Sequence, residues 1–218
     1  MTLVKMIKNI AISQQETKKS MDYFASVDLY HNTTTYKGAL LSTTQGVTGP
    51  DGFSQSINNR IGDRIHAKGI YFRLQWITPP LRPNLNVAFY VFKYPSNMTS
   101  IVDANFWRGV DGAGGAMNRL LDAPNTELIT VVKKIFVQNN RGANSNTTEN
   151  SVNEQRVSNI YRNCYVKIDK TVVYDCGGSI PKTYDYAIAC VAYDANNTLT
   201  SDIVGFLSYT YELSYKDA

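Results

Sequence analysis

RIGDRIHAKGIYFRLQWI, residues 60–77, is the stretch whose parity decides the fold. Ahead of Gly69 the polar Arg64, His66 and Lys68 are even-numbered and the apolar Ile65 and Ala67 are odd-numbered. Beyond Gly69 the assignment inverts: Ile70, Phe72, Leu74 and Trp76 are even, whereas Arg73 and Gln75 are odd. Side chains along a strand alternate between faces with period two, so an unbroken pleat would put Lys68 on the same face as Ile70. One extra residue at Gly69, a β-bulge, restores a single apolar face, and glycine is the residue that tolerates such a site. The segment therefore predicts one long, bent strand whose solvent face presents Arg64, His66, Lys68, Arg73 and Gln75.

Working outward, residues 21–30 and 35–43 read as two strands about the turn at His31 and Asn32, and the loop through 44–60 is marked by its Gly-Pro-Asp-Gly run. Pro79, Pro80 and Pro83 interrupt the chain before residues 84–94, a strand apolar on both faces and so expected to be covered on both. Ser100 and Asp103 form a capping-box pattern for a short helix over 101–108, stopped by Gly109. Residues 127–138, 159–168, 170–175, 183–194 and 203–216 complete about nine strands, and the polar 139–154 reads as a long loop. In the last strand Leu207, Tyr209, Tyr211, Leu213 and Tyr215 share one parity, with Lys216 on the other. Many strands, one short helix in a loop and no helical crossovers predict an all-β, two-sheet antiparallel jelly roll, its core including Leu74, Trp76, Val87, Phe89, Val166, Ile188 and Leu213.

A chain of 218 residues fits a single sandwich domain, and residues 1–19 read as a basic arm ahead of one domain over 20–218. Charged residues make up 18%, below the roughly 25% usual in soluble domains, which suits a surface covered by copies of itself. The net charge of +4 is mild, but its placement is not even. Lys5, Lys8, Lys18 and Lys19 face a lone Glu16 in the arm, and Arg60, Arg64, Lys68, Arg73 and Arg82 face Asp63 in the next basic stretch. No apolar run approaches a membrane span, and Lys5 and Lys8 interrupt the opening apolar residues where a signal peptide would need continuity.

Catalysis finds little to work with. His31 and His66 are the two histidines; there is no clustered ligand set for a metal, no GxSxG, no HExxH and no phosphate loop, so no enzyme and no cofactor are expected. Cys164, Cys176 and Cys190 lack CxxC spacing and read as buried small hydrophobes. Asp194 and Asp202, near one turn, read as solvated carboxylates rather than as a cation site.

Gln55-Ser56 ahead of Asn58-Asn59-Arg60-Ile61-Gly62-Asp63-Arg64-Ile65, then Lys68-Gly69-Ile70 and Arg73, resembles the strand-C signature of capsid proteins of circular single-stranded DNA viruses that encode a replication initiator, the circovirus-like agents among them. The ending, Tyr209 through Lys216-Asp217-Ala218, is similar to that family's last strand, and residues 127–138 and 165–175 lie where its strands E to G fall. The resemblance spans most of residues 21–218 and implies a coat protein whose copies, about sixty, close into a small icosahedral shell around single-stranded DNA, in a virion assembled inside the host cell, in its nucleus. It departs in one respect: such proteins open on a long Arg-rich arm, and this chain opens on scattered lysines. On this reading Lys5, Lys8, Lys18, Lys19, Arg64, His66 and Lys68 contact the nucleic acid. The alternative is a lectin-like or cytokine-like β-sandwich that binds a sugar or a receptor.

Overall fold

The computed structural model describes residues 15–46, 59–79, 84–98, 100–108, 118–140, 158–195 and 199–217. Eight strands account for most of them: β1 (Lys18–Tyr30), β2 (Thr33–Lys37), β3 (Arg64–Thr78), β4 (Asn84–Pro95), β5 (Thr130–Asn140), β6 (Ser158–Val173), β7 (Tyr184–Asp194) and β8 (Ile203–Asp217). One helical turn, α1 (Asp103–Phe106), and a 3-10 turn, Arg119–Leu121, lie between β4 and β5. Two four-stranded sheets form, in the orders β1-β8-β3-β6 and β2-β7-β4-β5. Every ladder is antiparallel, and the pairings nest: β4 with β5, β3 with β6, β2 with β7, β1 with β8. A long hairpin rolled about its own axis leaves this nesting, and it defines the jelly roll. The segment read as a strand-C signature is the third of the eight strands, which in the usual B-to-I lettering of a jelly roll is D.

The bulge in β3 is where the parity requires it. Between Ala67 and Gly69 the register slips against both neighbours, so Ala67 faces Tyr215 and Gly69 faces Ser214 on β8, with Lys68 left over. Ile65 and Ala67 are buried before the slip, and Ile70, Phe72, Leu74 and Trp76 after it. β6 bends alongside, with Asp169 in the left-handed region at φ 51° and the register stepping from Lys170 to Lys167. Residues 159–168 and 170–175, expected as two strands, are thus one strand with a bulge. Pairing along the whole of β3 carries the chain through the kink that Asp169 introduces.

The seven expected core side chains are all buried between the sheets. Trp76 and Phe72 each meet Phe89 edge-on, at 6.2 and 5.9 Å between centroids. β4 is covered on both faces, as its sequence demands. Leu85, Val87, Phe89 and Val91 enter the main core, while Ala88, Tyr90, Phe92 and Tyr94 join a second cluster under Phe106 and Trp107.

Three local expectations are revised. β2 ends at Lys37 instead of 43, because Ala39 turns left-handed (φ 61°) and the chain dives so that Leu40 and Leu41 are buried. The helix shrinks to Asp103–Phe106 with Val102 at its N-cap and no side-chain cap. Asp103 is drawn instead into tertiary bonds, accepting from the Tyr36 hydroxyl at 2.7 Å and pairing with Arg119 at 2.8 Å, while Trp107 Nε1 donates to Thr34 Oγ1 at 2.9 Å. β1 begins at Lys18, so Lys18 and Lys19 belong to the sheet rather than to the segment before it.

Asp185, with no exposed surface, accepts the N–H groups of Leu41 and Tyr186 on Oδ1, while Oδ2 has no hydrogen-bond partner among the described residues. Burial pushes its carboxyl up to about 6. A raised carboxyl holds its proton longer in the folded state, so its contribution to stability is complete below the unfolded value near 4 and is lost as pH rises through about 6, a span on the order of 3 kcal/mol. Asp185→Asn is expected to flatten that fall; thermal unfolding from about pH 4 to pH 8 measures it, and parallel profiles for the two proteins would refute it. A Cβ at Gly69 would lie 2.5 Å from the carbonyl oxygen of Val166, which is backbone and cannot swing away. Gly69→Ala should therefore cost about 1–3 kcal/mol in urea unfolding, and a loss under about 0.5 kcal/mol would show that the bulge has slack.

Candidate nucleic-acid interface

Antiparallel pairing brings the start of β1, the start of β3, the end of β6 and the end of β8 to one end of the β1-β8-β3-β6 sheet, and the cations gather there. In register, His66 lies between Lys216 on β8 and Thr171 on β6, Lys18 faces Tyr215, and Gly69 faces Lys167. Lys68, lifted out of register by the bulge, donates from Nζ to Thr17 Oγ1 at 3.0 Å. Arg64 is exposed at the head of β3. Among the described residues neither Arg64 nor Lys68 has a carboxylate in ion-pair range.

The remaining expected contacts are already engaged. Lys18 Nζ pairs with Asp217 at 2.6 Å and donates to the Asn59 carbonyl at 2.8 Å, with only 14% of its side chain exposed. That pair ties the first strand to the last. Lys19 meets Glu212 at 2.9 Å on the outer face of the sheet. His66 Nε2 lies 3.1 Å from Asp169 Oδ1, and Lys167 reaches the other oxygen at 3.3 Å. The hydrogen bond from His66, with that from Lys167, holds the Asp169 carboxyl below the usual carboxylate range. Lys216, expected outward, is 5% exposed; desolvation, and after it the charge of Lys68, lowers its ammonium from the ordinary lysine value. Lys5 and Lys8 lie outside the described residues, as does Arg82. Most of 44–60 and of 139–158 falls outside them too, whereas 95–127 is described except at residues 99 and 109–117.

Arg60 does not belong to this basic surface. Its side chain is fully buried, the guanidinium 4.3 Å above the Tyr174 ring, donating to the carbonyls of Gly62 and Gly178 with Asp63 at 3.7 Å. It clamps the approach to β3 onto the β6–β7 connection. Linear sequence shows it only as another cation, because Tyr174 and Gly178 lie more than a hundred residues away. Lys167 and Lys170, both exposed on β6, add to the basic end and were legible only as strand positions.

Cys164 and Cys190 are buried as expected, and burial pushes their thiols up to about 11 and about 12, which keeps them protonated at neutral pH. Cys176 is exposed, in the turn after β6, against the expectation of burial. Asp194 is buried with no exposed surface rather than solvated, its N–H donating to His31 Nδ1 at 3.2 Å. Among the described residues no group of three or more His, Cys, Asp or Glu is placed to hold a metal, and no helix is long and apolar enough to cross a membrane.

The fold and this surface can be set beside known proteins. Neither a protein-family model nor a curated protein sequence matches the chain. Among solved structures, a chain of Desmodium yellow mottle tymovirus aligns over 91% of this chain and 86% of its own at 10% identity, with a TM-score of 0.30. A second, described as Trichodysplasia spinulosa-associated polyomavirus VP1 in complex with 3'-sialyllactose, aligns over 92% and 76% at 11% identity, with a TM-score of 0.12. At TM-scores this low neither neighbour bears on function, and the jelly-roll assignment rests on the strand pairing.

If the basic end binds phosphates, Arg64→Gln with Lys68→Gln should leave unfolding unchanged within about 0.5 kcal/mol and flatten the salt dependence of single-stranded DNA binding by roughly 0.7 in logarithmic slope for each phosphate no longer neutralised. Arg60→Met should do the reverse, costing about 2 kcal/mol or more in stability as buried charge-assisted hydrogen bonds disappear. Equal salt slopes for wild type and the Arg64/Lys68 variant would remove these residues from the interface.

Proposed function

We propose that this chain is a viral coat protein whose copies, about sixty, assemble into a small closed icosahedral shell around single-stranded DNA, as in the circovirus-like viruses that its strand-D motif and C-terminal strand resemble. The observation that carries the reading is the nested jelly-roll pairing with a cation-rich end on one sheet. Large apolar side chains on the connections support it: Ile61 is 62% exposed, Leu121 80%, Ile180 58% and Leu199 71%. Burying such residues between identical subunits supplies the apolar contacts that closed symmetry repeats at every interface. On this reading Arg64 and Lys68, which have no carboxylate in ion-pair range among the described residues, supply charge toward a packaged polyanion together with Lys5 and Lys8, while His66, Lys18 and Lys19 would reach it beside their carboxylate partners. Assembly in the host nucleus follows from the same reading.

Electron microscopy and size-exclusion chromatography of the purified chain test it. The expected result is uniform spherical particles protecting nucleic acid from nuclease. A lectin-like or cytokine-like module would elute as a monomer or small oligomer, and dispersed monomers at high concentration would overturn the coat-protein reading.

A further inference from the structure

The outer face of the β1-β8-β3-β6 sheet carries a groove of about 510 Å³ that crosses all four strands. Its walls are Tyr23 on β1, 72% exposed, and Tyr161 on β6, 63% exposed. Its floor presents Arg73, Gln75, Ser208 and Thr210, which the register sets side by side: Tyr23 opposite Thr210, Thr210 opposite Arg73, Ser208 opposite Gln75, Gln75 opposite Tyr161. Gln75 Nε2 donates to the Tyr161 hydroxyl at 2.9 Å, which ties that ring to the floor. The Arg73 guanidinium lies 4.8 Å over the Tyr71 ring, stacked but exposed.

We infer that this groove is a nucleobase-stacking site for unpaired nucleic acid, an inference that rests on the coat-protein reading above. No residue lining the groove is acidic, and its one charged group is cationic, which selects an anionic ligand. The same face carries Lys19 and Lys167 toward the basic end, each beside a carboxylate, Glu212 and Asp169, so Arg73 is the cation that a phosphate in the groove would meet. Tyr23 and Tyr161 stand three interstrand spacings apart, about 14 Å at the backbone, too far to sandwich one ring. Each instead offers its inner face to one of two nearby bases, with a phosphate between them over Arg73. Base-on-aromatic stacking is indifferent to base identity, as packaging a whole genome requires. The polar floor offers hydrogen bonds to whichever base edge descends.

The full-length protein and its variants Tyr23→Ala, Tyr161→Ala, the double Ala and the double Phe should be titrated with a labelled 20-residue oligothymidylate and with an abasic oligomer of equal length. Wild type should prefer thymidylate, and the double Ala variant should lose that preference by about tenfold or more while the double Phe variant keeps it. Both walls are exposed, so the substitutions leave the core untouched. Equal binding of the two oligomers by wild type, unmoved by the tyrosine changes, would overturn the groove and leave the coat-protein reading standing. Binding of neither oligomer would overturn the groove together with the nucleic-acid part of that reading. If the double Ala variant changes self-association without DNA yet keeps the thymidylate preference, the groove is an interface with a second copy of the chain, and the inference fails.

Discussion

A strand hydrogen-bonded on both sides cannot change which face is apolar unless a residue is taken out of register, and β3 is such a strand. It pairs with β6 along one edge and β8 along the other, from Arg64 or Ile65 through nearly its full length. Without the slip at Lys68, either Ile65 and Ala67 or the run from Ile70 to Trp76 would face solvent. Burying each of the large side chains among them is worth about 1.5–3 kcal/mol, so the register is strongly specified. The slip has a second effect. It releases Lys68 from the pleat at the same level as the bend of β6 at Asp169, adding one cation to the end where strand pairing already gathers the others.

Charge on this protein sorts by its partners more than by its position in the chain. Lys18, Lys19 and His66 sit against Asp217, Glu212 and Asp169, which trims the free positive charge, and the largely covered Lys18–Asp217 pair also joins β1 to β8. Arg60 is different in kind: buried over Tyr174 and donating to two carbonyls, it is a structural clamp that happens to be cationic. Arg64, Lys68 and Arg73 remain turned to solvent or half so, and they lie on the strand from which the sheet is organised. Cations fixed on rigid elements in this way would suit a polyanion held by charge rather than by base-specific geometry.

The two sheets divide the work unevenly. The β2-β7-β4-β5 sheet is covered on its outer side by α1, Trp107 and their neighbours, so β4 is buried on both faces. The β1-β8-β3-β6 sheet keeps its outer side bare over Tyr23, Tyr161 and Tyr165, 51–72% exposed.

Parity alone was enough to read the bulge at Gly69, the alternation of β8, the double burial of β4 and the seven core side chains, since each follows from a period-two pattern within a single segment. The all-β architecture followed from the number of such segments and the lack of helical crossovers. What linear order leaves open is which distant groups meet. Ser100 and Asp103 look like a helix cap, yet Asp103 is taken by Tyr36 and Arg119. Arg60 reads as one cation in a basic run until Tyr174, Gly62 and Gly178 close around it. Residues 159–168 and 170–175 read as two strands, and pairing along all of β3 makes them one. Local pattern is written in neighbours along the chain and survives in sequence; the choice of partner for a polar side chain is made by strands brought together from opposite ends of the molecule, and only the folded sheets decide it.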